Sequence, residues 1–171
     1  MAIYFPNSEI GEVCGESWRI TSSFTGDNNT MGQAGNVSWE RSDDVYGGGN
    51  ISSVLSESGG IFTFNADYYG YYFINHQHYT YLANGVSRWN EMILMVSWNS
   101  GANYDNHSYT ASSTMNQSSA VSAGACASSV VAATAATRLR FNIQVENNSV
   151  TTYGTTNEQM TGFSIAKISD L

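Results

Sequence analysis

Two histidines separated by one residue are the first candidates for chemistry in this sequence. His76-Gln77-His78 lies in an aromatic-rich segment with the pattern of a strand, in which alternate side chains share one face. Their imidazoles would stand about 6.6 Å apart along that strand, and a metal site shared between symmetric subunits could use them. The alternative is that both are polar residues at the end of an exposed strand face. We favour the alternative and predict neither a metal nor a cofactor.

The other reactive residues show no catalytic pattern. Glu40, Asp43 and Asp44 form the densest acidic cluster, but they lack the alternating oxygen ligands of a calcium loop, so a solvated loop is the simpler interpretation. Cys14 and Cys126 have no basic neighbours in the sequence that would activate a thiolate, and free buried thiols are expected rather than a disulfide. A Gly-x-Ser-x-Gly elbow is missing. We therefore predict no catalytic residues and no enzymatic activity.

Composition excludes several classes of protein. The 171 residues suit one domain, and the low charged fraction of 12% with 13% aromatics is unlike a disordered chain. Six cations against 14 anions give a net charge of −8, and Lys167 is the one lysine. A protein that grips phosphates needs a basic footprint, so we expect no nucleic-acid partner. The sequence has no apolar run of about 18 residues, which predicts no membrane span.

The elements that must position these residues are predicted to be strands. Alternating segments separated by Gly- and Asn-rich turns recur at 17–24, 36–41, 51–55, 61–66, 71–82, 90–98, 104–110, 128–133, 138–145, 150–153 and 163–168. Several are short or weak, so we expect about eight to ten strands. Asn84-Gly85 predicts a hairpin turn, and the Ala- and Ser-rich segment up to Gly124 is expected to be a loop. The fold class is therefore an all-β antiparallel sandwich or jelly roll.

The long strand predicted at 71–82 is unusual because both of its faces are partly apolar. Tyr72, Ile74 and the two histidines share one face, and Tyr71, Phe73 and several further tyrosines share the other. An antiparallel strand with one buried face should be polar on the other. Either the outer face is covered within the domain, or it meets another subunit.

Three short motifs resemble the jelly-roll superfamily of complement globular heads and tumour necrosis factors. They are GIFTF at 60–64, GYYFI at 70–74 and TGFSI at 161–165, and they resemble the G-x-F, G-x-Y-x-F and final-strand patterns of that superfamily. The alternating strand at 139–145 sits where the family has its penultimate long strand. The resemblance covers roughly residues 36–171.

This resemblance implies a ten-stranded jelly roll that assembles as a tight homotrimer. It places Tyr72 towards the threefold axis and Phe163 near the subunit contact. The residues expected at the trimer interface are Tyr72, Ile74, Phe163, Tyr71 and Phe73.

The end of the sequence points to a particular form of the superfamily. Residues 163–168 look more like the jelly rolls of bacteriophage virion proteins than like animal ligands. The first six residues have neither the basic nor the apolar region of a secretory signal, which agrees with a virion protein better than with a secreted one. The expected localisation is therefore the virion.

Two functions remain open at this level. A jelly roll of this family uses roughly 130–150 residues, so we assign residues 1–16 to an N-terminal arm and 17–171 to the domain. The arm has no heptads or Gly-x-y repeats from which to build a shaft, which favours a compact knob that decorates or cements a capsid. Its partners would be the major capsid protein or other virion proteins, and the expected anchor residues are Ile3, Tyr4, Phe5 and Ile10.

The alternative is the receptor-binding head of a tail or capsid fibre that recognises a host-surface glycan. The aromatic stretch at 68–81 could stack on sugars, although core and subunit interface are the favoured uses.

Overall fold

The computed structural model describes residues 14–33, 37–42, 53–116 and 120–171, and these form two antiparallel β-sheets packed face to face. They contain thirteen strands and one 3₁₀ turn, Ala66–Tyr68. The strands are β1 (Gly15–Ile20), β2 (Phe24–Thr25), β3 (Trp39–Arg41), β4 (Leu55–Ser58), β5 (Ile61–Phe64), β6 (Gly70–Leu82), β7 (Gly85–Ser97), β8 (Asp105–Tyr109), β9 (Ser112–Asn116), β10 (Val121–Ala133), β11 (Arg138–Val145), β12 (Thr151–Thr152) and β13 (Gly162–Ser169).

The first sheet is organised around β6. On one side β6 pairs with β10 along its full length, from Gly70↔Ala133 to Leu82↔Val121. On the other side it pairs with β13 and then with the short β12. Strand β13 in turn pairs with β1, which joins the two ends of the described chain, and β3 lies beyond β1. Pairing between strands that lie far apart in the sequence is typical of jelly-roll topology.

The second sheet has the order β4-β5-β11-β7-β8, with β9 paired to the first part of β7. Strand β11 confirms its sequence pattern, since Leu139, Phe141, Ile143 and Val145 are all buried. On its other face Arg138, Arg140 and Gln144 remain partly exposed, whereas Asn142 is buried. The alternation of apolar and polar residues therefore sets the register of this sheet against the core.

Aromatic rings fill the space between the sheets. Trp18, Trp39, Phe62, Phe141 and Phe163 form a cluster in which neighbouring ring centroids lie 4.5 to 6.0 Å apart, mostly edge to face. Phe163 contacts three of the other rings and is completely buried. Truncating such a ring to alanine costs about 3–5 kcal/mol, so the cluster is a major source of stability.

Two sequence predictions about connections are wrong. Asn84-Gly85 does not close a hairpin, because β6 and β7 belong to different sheets and the turn carries the chain from one sheet to the other. Gly85 has φ +103°, which explains why glycine suits this crossing as well as it suits a hairpin. The predicted loop up to Gly124 instead contains β9 and the start of β10. Small residues hid these strands because they give no apolar alternation.

Candidate interaction surface

The predicted trimer-interface residues divide between the two faces of the first sheet. Tyr72, Ile74 and Phe163 are fully buried in the core of their own chain, which leaves them no surface for a second subunit. Tyr71 and Phe73 point outward, and each is 42% exposed. A subunit contact at this sheet can therefore use Tyr71 and Phe73, whereas the other three act inside the domain.

The outward side chains of β6 form a continuous surface that we call the aromatic face. Its members are Tyr71, Phe73, Asn75, Gln77, Tyr79 and Tyr81. Tyr153, just after β12, extends it, with ring centroids 5.7 Å from Tyr79 and 5.9 Å from Tyr81. Neither β6 nor the adjacent β10 contains an Asp, Glu, Lys or Arg. A face this apolar and uncharged is typical of a protein–protein contact.

Strand β10 borders this face and leaves a row of backbone groups at the edge of the sheet. Among the described residues β6 is the only strand that pairs with it, over thirteen residues of β10. Its outward side chains are small, apart from Val130, which is 50% exposed and lies opposite Phe73. Long uncharged edges are usually shielded by charges, prolines or another chain. This edge has neither charge nor proline, and part of it is shielded within the chain, where His107 Nε2 lies 3.2 Å from the Val130 carbonyl oxygen.

His76 and His78 lie on the buried face of β6, so their interpretation as polar residues on an exposed face is wrong. Their exposed fractions are 0% and 1%. His78 Nδ1 lies 2.6 Å from Thr110 Oγ1 and His78 Nε2 lies 3.3 Å from Ser112 Oγ, whereas neither ring nitrogen of His76 has a hydrogen-bonding partner with good geometry. Burial lowers the pKa of each imidazole to about 4, and His76 adds a repulsion that lowers the pKa of His78. Both are therefore neutral at pH 7.

The histidine pair does not form part of a larger set of metal ligands. Nowhere in the described ranges do three or more His, Cys, Asp or Glu side chains come together as a metal site would require. Of the predicted acidic cluster, Glu40 alone lies among the described residues, in β3. Glu40 makes an ion pair with Arg19, with 2.7 Å between Oε1 and Nε, and Asp43 and Asp44 lie outside the described residues.

A buried carboxylate that sequence analysis missed connects the two sheets. Glu16 on β1 accepts hydrogen bonds from the indole of Trp18 at 2.8 Å and from the backbone N–H groups of Val54 and Leu55 at 3.1 and 2.9 Å. Arg41 Nε lies 3.3 Å from its Oε2 atom. Burial raises the pKa of Glu16, and the hydrogen bonds and Arg41 partly offset that rise. A single glutamate within a strand gives no sequence signal for such a role.

The two cysteines are both free, and they differ in exposure. Cys14 is buried with its Sγ atom 3.4 Å from the Tyr72 hydroxyl, which donates to the Tyr68 carbonyl at 2.6 Å. Cys126 is exposed on β10. The expected absence of a bridge thus agrees with the structure, but burial holds for Cys14 alone.

The predicted capsid anchor lies outside the described residues and stays a prediction. Its members are Ile3, Tyr4, Phe5 and Ile10. Strand β1 begins at Gly15, so the predicted end of the arm at residue 16 falls within that strand. In the part of the chain that is described, no helix is long and apolar enough to cross a membrane.

Exposed aromatic residues also occur on the second sheet. Tyr109 on β8 is 49% exposed and its hydroxyl accepts a hydrogen bond from Asn106 at 2.7 Å. Tyr104 is half-buried under the guanidinium of Arg140, 4.3 Å from its ring centroid. Of these two tyrosines, Tyr109 offers the more accessible ring.

Comparison with known proteins identifies the fold and no closer relationship. No protein-family model matches the sequence, and no curated protein matches it either. Among solved structures, Eiger TNF from S. frugiperda superposes with a TM-score of 0.64 at 11% identity, covering 93% of this chain and 94% of that one. Murine APRIL at pH 8.5 gives a TM-score of 0.55 at 12% identity, covering 92% of this chain and 100% of that one. At these identities the similarity establishes a jelly roll of the tumour-necrosis-factor type, as the sequence motifs predicted.

Proposed function

We propose that this protein is a non-enzymatic structural component of a virion, a homotrimeric knob that decorates or cements the capsid. The observation that carries the assembly is the uncharged aromatic face of β6. It offers a broad surface on which Tyr71 and Phe73 are already exposed. The resemblance to the tumour-necrosis-factor superfamily, which implies threefold assembly, supports a homotrimer.

The chemistry of the described residues supports a role in binding rather than in catalysis. The two histidines are buried and neutral, and the buried carboxylate of Glu16 is engaged by backbone and indole donors. The net charge of −8 is the wrong sign for a protein that binds phosphate backbones. Partners with uncharged or basic surfaces fit this chain better.

The virion assignment rests on the resemblance of residues 163–168 to phage jelly rolls. We assign the attachment to the shell to the N-terminal arm, in which Ile3, Tyr4, Phe5 and Ile10 are apolar. The major capsid protein, or another virion protein beside it, would supply the complementary surface.

The assembly is tested by light scattering coupled to size exclusion. The wild-type protein should elute with about three times the chain mass of 18.6 kDa. Phe73→Asp should give a folded monomer, because a carboxylate buried without a partner in an apolar contact costs several kcal/mol. Trp98→Asp is the matched control, since Trp98 is 46% exposed and lies on the loop after β7 in the second sheet. A monomeric wild type, or a Phe73→Asp trimer, would show that this face is not the interface.

The virion role requires a separate experiment. Purified capsids that lack this protein should bind the full-length trimer at a fixed stoichiometry, and a chain without residues 1–10 should remain trimeric but fail to bind. If the truncated trimer binds with the same occupancy, the arm is not the anchor. If particles never bind the trimer, the virion assignment fails while the assembly stands.

A receptor-binding head is the second candidate. It is favoured by exposed aromatic rings away from the aromatic face, among them Trp89 and Tyr109. Such rings bind sugar or protein surfaces when they stand beside polar groups. A glycan array probed with the trimer distinguishes the two functions, because a capsid knob has no need of a carbohydrate ligand.

A further inference from the structure

A β-bulge in β7 presents two consecutive side chains to solvent. The register with β9 shifts between Ser87, paired with Thr114, and Asn90, paired with Ser112. Arg88 and Trp89 occupy the shift, and both are exposed, Trp89 at 40%. Bulges of this kind redirect side chains and are frequent beside functional sites.

The bulge is held firmly from both sides. The Trp89 carbonyl accepts hydrogen bonds from Ser87 Oγ and from the Glu146 N–H, each at 3.1 Å. Ser87 Oγ also lies 2.6 Å from Asn90 Oδ1, and both residues are buried. The indole therefore projects from a fixed backbone rather than from a free loop.

The charge of Arg88 is neutralised within the same structure. The Glu146 carboxylate accepts from the backbone N–H of Arg88 at 2.6 Å and from its Nε at 2.5 Å. These hydrogen bonds lower the pKa of Glu146, so the pair is ionised at neutral pH and has no net charge. It offers donors and acceptors side by side.

The two exposed side chains border a groove of about 450 Å³. The other residues that line it are small, including Ser112, Ser113, Ala123 and Gly124. Its volume lies within the range of about 300–1,000 Å³ that is usual for small-ligand sites. An indole, an arginine and serine residues thus line an open space that no large side chain fills.

We infer that this groove binds a neutral pyranose ring of a glycan. A pyranose has an apolar C–H face that packs on an indole, and adjacent hydroxyls that each donate and accept hydrogen bonds. Trp89 would supply the platform, and Arg88 would supply hydrogen-bond donors for neighbouring hydroxyls. Ser113, which is exposed, would add a further hydroxyl. The inference deepens the second candidate function and does not depend on capsid binding.

The electrostatics favour a neutral sugar over an acidic one. An anionic sugar requires a cation that is not already paired, and the Arg88 guanidinium is engaged by Glu146. The net charge of −8 also repels anions at long range. Sialosides and glucuronides are therefore expected to bind more weakly than neutral hexosides.

The test is a titration of the full-length protein with a panel of methyl hexopyranosides, sialosides and glucuronides, followed by ligand-observed saturation-transfer NMR. At least one neutral hexoside should bind with a Kd on the order of 1 mM, in the weak range expected of a single shallow subsite. Trp89→Ala should weaken binding about tenfold or more, and Ser113→Tyr, which fills the groove and leaves the indole in place, should do the same. Trp98→Ala is the matched control and should leave the Kd unchanged.

Three outcomes would overturn the inference. They are no saturation transfer to any neutral hexoside at tens of millimolar, equal binding by the Trp89→Ala and wild-type proteins, or a Trp98→Ala variant as weak as Trp89→Ala. Light scattering on each variant shows whether a loss of sugar binding is accompanied by a change in oligomeric state. If Trp89→Ala changes the oligomeric state, the groove belongs to a subunit contact and the sugar assignment fails.

Discussion

Lowering the pH from 7 to 5 should remove a large share of the stability of this fold through His76 and His78. Both imidazoles are neutral in the folded state, where burial holds each pKa at about 4, against 6.5 for an ordinary histidine. Below pH 6.5 the unfolded chain takes up protons that the folded chain does not, so stability is lost as the pH falls towards 4. At pH 5 this linkage amounts to about 2 kcal/mol for each histidine, and about 4 kcal/mol for the pair. Domains of this kind are stable by only about 5–15 kcal/mol.

The size of this loss of stability also depends on the groups around the two histidines and on other buried groups that titrate. Thr110 and Ser112 contact His78 through uncharged hydroxyls. The Glu16 carboxyl, whose pKa is raised by burial, acts in the opposite direction because the folded state binds its proton first. The net loss between pH 7 and 5 is therefore expected to be somewhat below 4 kcal/mol.

Urea unfolding at fixed protein concentration, followed at pH 7, 6 and 5, measures the loss directly. A His76→Leu/His78→Gln double variant removes both titrating groups, and glutamine retains a polar side chain near Thr110 and Ser112. Its free energy of unfolding should change much less between pH 7 and 5 than that of the wild type. Thr80→Val, on the same buried face of β6, is the control and should keep the wild-type pH dependence. Equal losses in the double variant and the wild type would refute the argument.

Three further predictions concern buried groups. Glu16→Ala should lower the free energy of unfolding by about 3–5 kcal/mol in urea titrations, because the Trp18 indole, two buried backbone N–H groups and Arg41 lose their partner. Glu16→Gln should lower it less. In the monomeric Phe73→Asp variant, Cys126 should react rapidly with a thiol reagent and Cys14 only at the rate of unfolding, so two fast thiols would contradict the burial of Cys14. Tyr72→Asp should prevent folding of the chain itself, as judged by circular dichroism, whereas Phe73→Asp should affect assembly alone, and a folded Tyr72→Asp monomer would show that Tyr72 is not a core residue.

Sequence patterns predicted those parts of the fold in which apolar and polar residues alternate. Strand β11 was predicted with its correct bounds, because Leu139, Phe141, Ile143 and Val145 repeat with period two. The same period placed His76 and His78 on the face of Tyr72 and Ile74. That this face is buried as far as the histidines could not be predicted, because the burial depends on how the second sheet packs against it.

Other features could not be predicted because their signals are ambiguous or absent. The alanines, serines and single glycine of β10 look like a linker until β6 is seen to pair with each of them. The groove at Arg88 and Trp89 depends on a register shift, which neighbouring sequence does not reveal. The residues predicted at the trimer interface come from both faces of the first sheet, because the sequence alone does not reveal which face of β6 the core covers.

The pairing of β6 with segments that follow it has a consequence for synthesis on the ribosome. One edge of β6 can pair only after β10 has been synthesised, and the other only after β13 has been synthesised. Strand β13 also pairs with β1. At roughly 5–20 residues per second, several seconds pass between the emergence of β6 and that of its last partner. A strand rich in tyrosine thus has two unpaired edges until β10 emerges and one until β13 emerges, a condition that promotes aggregation. Yield in recombinant expression should therefore respond strongly to translation speed, temperature and chaperone supply.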